Sequence, residues 1–151
     1  MNRRSVPYDT TVQLDLSRTD LSGAYLEVAQ LEGAILWKAH LERANLRDAH
    51  LEGANLRKAR LANAYLGSAQ LQGANLTYAH MEKANLEEAH LEGANLGEAH
   101  LEGANLEKAY LEGADLETAH LEGANLADAV SNHATRWPQG FKGHPRSGPA
   151  G

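Results

Sequence analysis

Leucine, or once methionine, recurs at every fifth position from Leu16 to Leu126, 23 times without a gap. The residue two places before it is alanine from Ala24 onward, with Leu14 and Thr19 the earlier departures. A helix turns about 100° per residue, so leucines five apart advance about 140° net and spiral around it without making a stripe. A straight strand alternates with period two, so an odd repeat throws successive leucines to opposite faces. The pattern predicts instead a chain that bends once per repeat. In Ala54-Asn55-Leu56 the alanine and leucine share one face and the asparagine takes the other. Arg57-Lys58 then turn a corner, so that Ala59 and Leu61 face inward again. Repeated, this makes a tube of short strand-like sides with Ala and Leu inside and coils stacked ~4.8 Å apart.

The repeat reads A-(N/D/H)-L-x-x, as in Ala44-Asn45-Leu46, Ala74-Asn75-Leu76, Ala104-Asn105-Leu106 and Ala114-Asp115-Leu116. It resembles the pentapeptide-repeat family, whose signature is A-(D/N)-L-x-x, over roughly residues 14–133. The resemblance implies an all-β fold, a right-handed quadrilateral parallel β-helix with four repeats per coil. Twenty-three repeats then make close to six coils, a rod roughly 28 Å long at the strand spacing. The expected division is an N-terminal cap (1–13), the β-helix (14–133), and a C-terminal cap and tail (134–151). Val6, Pro7, Tyr8, Val12 and Leu14 are expected to cover the first coil, because a solenoid needs its ends closed. Trp137 and Phe141, in Thr135-Arg136-Trp137-Pro138-Gln139-Gly140-Phe141, are read as a lid on Leu126 and its neighbours. Similar endings follow the repeats in some family members. Members also pair through their ends, so a homodimer contact at these aromatics is the alternative.

Under the four-repeat coil, residues 20 apart form outward columns. Asparagines stack at Asn45, Asn85, Asn105 and Asn125, and again at Asn55, Asn75 and Asn95 with Asp115. They are expected to bond up and down the ladder. His40, Arg60, His80, His100 and His120 make a third column; His50, Gln70, His90 and Tyr110 make a fourth. Side chains in one straight column do not converge on a tetrahedral ion, so no metal site is expected. Stacked imidazoles should repel one another when protonated and weaken the ladder in acid. The recurring Leu-Glu-Gly corners, such as Glu52-Gly53 and Glu92-Gly93, suit a turn that needs positive φ.

Charge changes the picture along the rod. The 151 residues carry net −6, but unevenly. Residues 14–80 hold seven acids and seven bases; residues 81–128 hold twelve acids against Lys83 and Lys108, net −10. Such a surface repels nucleic acid and attracts basic protein grooves. Glu82, Glu92, Glu102, Glu112 and Glu122 are the candidate partner-binding acidic face, and Trp37 a candidate aromatic anchor beside Ile35, with Tyr78 a weaker companion. No catalytic arrangement, Gly-rich phosphate loop or interior pocket is evident, so neither an enzyme nor a cofactor is expected. With no cysteine, no signal-like apolar segment and no stretch long enough to span a membrane, a cytoplasmic setting is expected. A rigid rod with regular faces presents an extended surface, so a non-enzymatic scaffold for a protein partner is expected. The resemblance adds a sharper alternative, a mimic of duplex DNA. Quinolone-protective members match B-DNA in width and negative surface and bind the basic DNA-gate groove of DNA gyrase, a type II topoisomerase. This chain departs from them in its neutral N-terminal half and its lack of an interrupting loop.

Overall fold

The computed structural model describes residues 12–145. Val6, Pro7 and Tyr8 of the expected N-terminal cap lie outside that range, as does the end of the expected tail. Val12 is 91% exposed and Leu14 47% exposed. The fold is a right-handed quadrilateral parallel β-helix. Each side contributes one bridging residue, the central one of its repeat, and every bridge from Asp15↔Ile35 to Tyr110↔Val130 joins residues 20 apart in parallel. Leu36 N–H donates to Asn55 O at 2.8 Å and Asn55 N–H donates to Ala34 O at 2.9 Å, and this pair of bonds recurs up the stack. Between the ends, the leucines from Leu36 to Leu116, with Met81, are fully buried, and the alanines two places before the leucine positions, from Ala34 to Ala114, are at most 1% exposed. No helix among the described residues is long and apolar enough to cross a membrane.

Corners close by a four-residue turn: Ala34 N–H donates to Leu31 O at 3.0 Å, and the same bond recurs at the following corners. The second corner residue has positive φ whether or not it is glycine, with Gly33 at 63°, Lys38 at 55° and Val28 at 58°. This is the geometry of a type II turn, which needs a left-handed residue at its third place. The left-handed region costs a non-glycine residue about 1–2 kcal/mol, and a β-branched one is the extreme case. Val28 is 55% exposed, so its side chain gains little from packing. Val28→Gly should therefore stabilise the protein by about 1 kcal/mol, the strain relieved less the extra freedom of glycine in the unfolded chain. Thermal melts read this directly, and a lowered Tm would refute it.

Thr118 is the one second-corner residue between Arg18 and Asp128 that does not adopt positive φ. The turn still closes, with Ala119 N–H donating to Leu116 O at 3.0 Å. Glu98 N–H, which by the repeating pattern would reach the next backbone carbonyl, donates instead to Thr118 Oγ1 at 2.9 Å. A β-branched residue thus escapes the strained conformation and repairs the ladder with its hydroxyl.

The final coil is longer. Asp115 bridges Arg136, an offset of 21. The extra residue lies in the corner Asn132-His133-Ala134, where Asn132 Oδ1 accepts from Gly113 N–H at 3.1 Å and from Ala134 N–H at 3.0 Å. Thr135 then takes the alanine place, buried, its hydroxyl donating to Leu111 O at 2.8 Å. Arg136 takes the bridging place, and Trp137 falls in the inward leucine place, next in the column of Leu116. Phe141 follows after a turn in which its N–H donates to Pro138 O at 3.0 Å and Gly140 has φ of 77°. Both rings pack against the core end, 5.7 Å apart and near parallel.

Candidate functional site

With Leu and Ala filling the interior, chemistry is confined to the outward columns. The asparagines do not chiefly bond along the ladder. Asn55, Asn75, Asn85, Asn95 and Asn105 each present Oδ1 to the backbone N–H two residues on, at 2.9–3.2 Å. The first-corner amide has no carbonyl to meet in the repeating backbone pattern, so an Asx-type bond satisfies it. Among the described residues, one asparagine bonds its counterpart a coil away, Asn125 Nδ2 donating to Asn105 Oδ1 at 3.0 Å. The expected ladder is therefore corrected: asparagine caps its own corner. At Asp15 and Asp20, hydrogen bonds from the Ser17 and Ser22 side chains, with the same backbone device beside them, hold both carboxyls below their ordinary value.

Where histidine replaces asparagine the corner is solved differently. The Nδ1 atoms of His50, His80, His90 and His100 lie 3.3, 3.2, 3.0 and 3.0 Å from Oε1 of the glutamate two residues on. Oε2 of Glu52, Glu82, Glu92, Glu102 and Glu112 is buried without a hydrogen-bond partner. At Glu102, burial pushes the carboxyl upward. Hydrogen bonds from His100 and from its own backbone N–H, with the imidazoles of His100 and His120 nearby, outweigh this and leave it below its ordinary value. His80, His100 and His120 stack face to face, with centroids 5.0 and 4.6 Å apart. The carboxylates beside them supply an attraction that opposes the mutual repulsion expected of bare stacked imidazoles.

The five candidate glutamates do not share one face. Glu82, Glu102 and Glu122 line one corner; Glu92 and Glu112, half a coil away, line the corner diagonally opposite. The other two corners are acidic too, with Glu87, Glu88, Glu107 and Asp128 on one and Glu98 and Glu117 on the other. The C-terminal half is thus negative all round, relieved where Arg136 meets Asp115 at 2.8 Å and pairs with Glu117. Trp37 lies on its corner but is half-buried, with Arg18 and Lys38 over its ring at 4.6 and 4.7 Å. Among the described residues, the exposed tyrosines are Tyr25, Tyr65 and Tyr78. The first two border a shallow groove of about 410 Å³ with Arg43, Asn45 and Arg47.

Eight copies of the model for pentapeptide repeats match the chain between residues 12 and 130. The chain belongs to the pentapeptide-repeat family. Among solved pentapeptide-repeat structures, Rfr23 from the cyanobacterium Cyanothece 51142 is 32% identical, over 83% of this chain and 85% of that one, with a TM-score of 0.48. HetL, involved in heterocyst differentiation regulation in the cyanobacterium Nostoc, is 38% identical over 76% of this chain and 65% of its own length, with a TM-score of 0.37. QnrB1, a plasmid-mediated fluoroquinolone resistance protein, is 24% identical over 83% of this chain and 76% of that one, with a TM-score of 0.39. No functionally curated protein matches this pentapeptide-repeat chain.

Proposed function

We propose that this protein is a non-enzymatic scaffold, cytoplasmic in setting, whose acidic C-terminal half docks into a basic groove of a protein partner. The observation that carries this reading is the net −10 over residues 81–128, spread over all four corners of a rigid rod. The fold requires Leu and Ala inside and turns at the corners; it does not require glutamates stacked in register, which repel at a cost in stability. A favourable interaction elsewhere gives that arrangement a reason.

Charge density favours a more specific partner. Residues 81–128 make 2.4 coils, about 12 Å of rod at the strand spacing, whereas duplex DNA carries one charge per ~1.7 Å of axis. The two densities are of the same order. A DNA-mimic reading follows, with the DNA-binding groove of a type II topoisomerase as the occupied surface.

The quadruple reversal Glu92, Glu102, Glu112 and Glu122 to Lys tests both. Wild-type protein should alter supercoiling by DNA gyrase at low salt, losing the effect as salt rises, and the reversed variant should have none. Inertness of the wild type at low salt would remove the topoisomerase. In that case affinity capture from cells decides the broader proposal: wild type retains basic partners in a salt-sensitive way and the reversed variant does not. The same partners on both proteins would overturn it.

A further inference from the structure

The geometry points to a divalent transition-metal site, of the kind Zn²⁺ occupies, formed by His100, Glu102 and His120. One ligand atom from each of these three lies within 4.8 Å of the other two. They come from two successive coils: His100 and Glu102 straddle Leu101, and His120 is the bridging residue directly above His100.

A straight column of imidazoles does not converge on one ion, and the rings of His100 and His120 are indeed only 4° from parallel. The corner glutamate supplies what the column lacks. It reaches back to the stack, so that Oε1 sits 3.0 Å from His100 Nδ1. Two ligands of a tetrahedral zinc ion, bonded at about 2.0–2.2 Å, lie roughly 3.3 Å apart. The His100–Glu102 pair is already near that spacing, so an ion there needs only the His120 ring to swing inward.

Three further observations support this set. His120, like His40, makes no hydrogen bond to the glutamate two residues on, whereas His50, His80, His90 and His100 do. Its Nε2 lies 4.0 Å from Glu98 Oε2, a distant contact that leaves the ring available. Second, the Oε2 atom of Glu102, like that of Glu52, Glu82, Glu92 and Glu112, is buried with no partner, an acceptor that a cation would satisfy. Third, all three side chains are half-buried, which leaves one direction open for a water or a partner's ligand. Two imidazoles, one carboxylate and an open fourth position is a donor set that suits zinc. The comparable group Glu32, His50 and Glu52 has two carboxylates and one imidazole, a harder set less suited to it. Binding at His100, Glu102 and His120 would add two positive charges to the acidic half and so modulate its surface charge.

Calorimetric titration of the full chain with Zn²⁺ alone tests the site, with thermal melts as a second readout. One ion per chain is expected, with a raised Tm that follows Zn²⁺ concentration. His120→Ala and Glu102→Gln should each weaken binding by about tenfold or more, and acid should weaken it because the ligating imidazoles must be unprotonated. His90→Ala, which removes an equivalent H-L-E histidine from the opposite side, should bind Zn²⁺ as the wild type does. The melts confirm that each variant is folded. No saturable binding, an unchanged affinity in His120→Ala, or an equal loss in His90→Ala would overturn the assignment.

Discussion

Leu76→Ala should destabilise the protein by about 2–5 kcal/mol, the range for a large buried aliphatic residue cut to alanine in a packed interior. Leu76 is fully buried midway along the stack, in register with Leu56 below and Leu96 above. The walls around the missing methyl groups are held by bridges on all four sides, Asn75 N–H to Ala54 O at 2.9 Å and Leu76 N–H to Asn95 O at 2.8 Å among them. A cavity there cannot collapse without breaking that ladder, which places the cost toward the upper part of the range. Leu126→Ala provides the contrast. Leu126 is 9% exposed in the last complete coil, where surrounding chain is free to close in. Its cost should be smaller by at least about 1 kcal/mol. Chemical unfolding followed by circular dichroism measures both; equal costs would mean that the coils relax far more readily than their hydrogen bonding implies.

Trp137→Ala should have the next largest effect, a loss of roughly 2–3 kcal/mol, below the 3–5 kcal/mol of a fully buried tryptophan because this ring is only partly covered. The indole occupies the inward leucine place above Leu116 and stacks on Phe141. Its removal uncovers the apolar end of the tube, so the variant should also self-associate with rising concentration, as sedimentation or light scattering would register. The alternative, in which Trp137 and Phe141 form a homodimer contact, predicts the opposite: a wild-type dimer that the substitution turns into monomers. Lower stability together with increased association identifies a lid; lost association identifies an interface.

The fold was legible because the interior is one-dimensional. A residue at the Leu or Ala place has a single environment, so a period of five carries the whole core. Corners were legible where glycine marked them, as at Gly33 and Gly53, but the same backbone at Val28 and Lys38 left no sign in residue type. The outside was less legible because lateral neighbours count there. Straight columns were readable by adding 20, but contacts between columns were not: the carboxylate of Glu102 turning back to His100, or Arg18 and Lys38 closing over Trp37. The asparagine role had a readable signal, an Asx side chain two residues before a turn amide. The placement of Glu82, Glu102 and Glu122 in one column and of Glu92 and Glu112 in another was readable the same way, from a separation of half a coil.

The single residue added at Asn132-His133-Ala134 has a consequence for growth. A stack of parallel bridges is a template: its last turn displays donors and acceptors spaced for one more identical turn, and a second molecule could supply it. Coils of 20 residues would prolong such a filament without limit. The 21-residue step from Asp115 to Arg136 breaks the commensurate spacing. It also sets an indole where the next leucine would stand. An incoming coil therefore meets, at this end, a spacing that no longer matches its own.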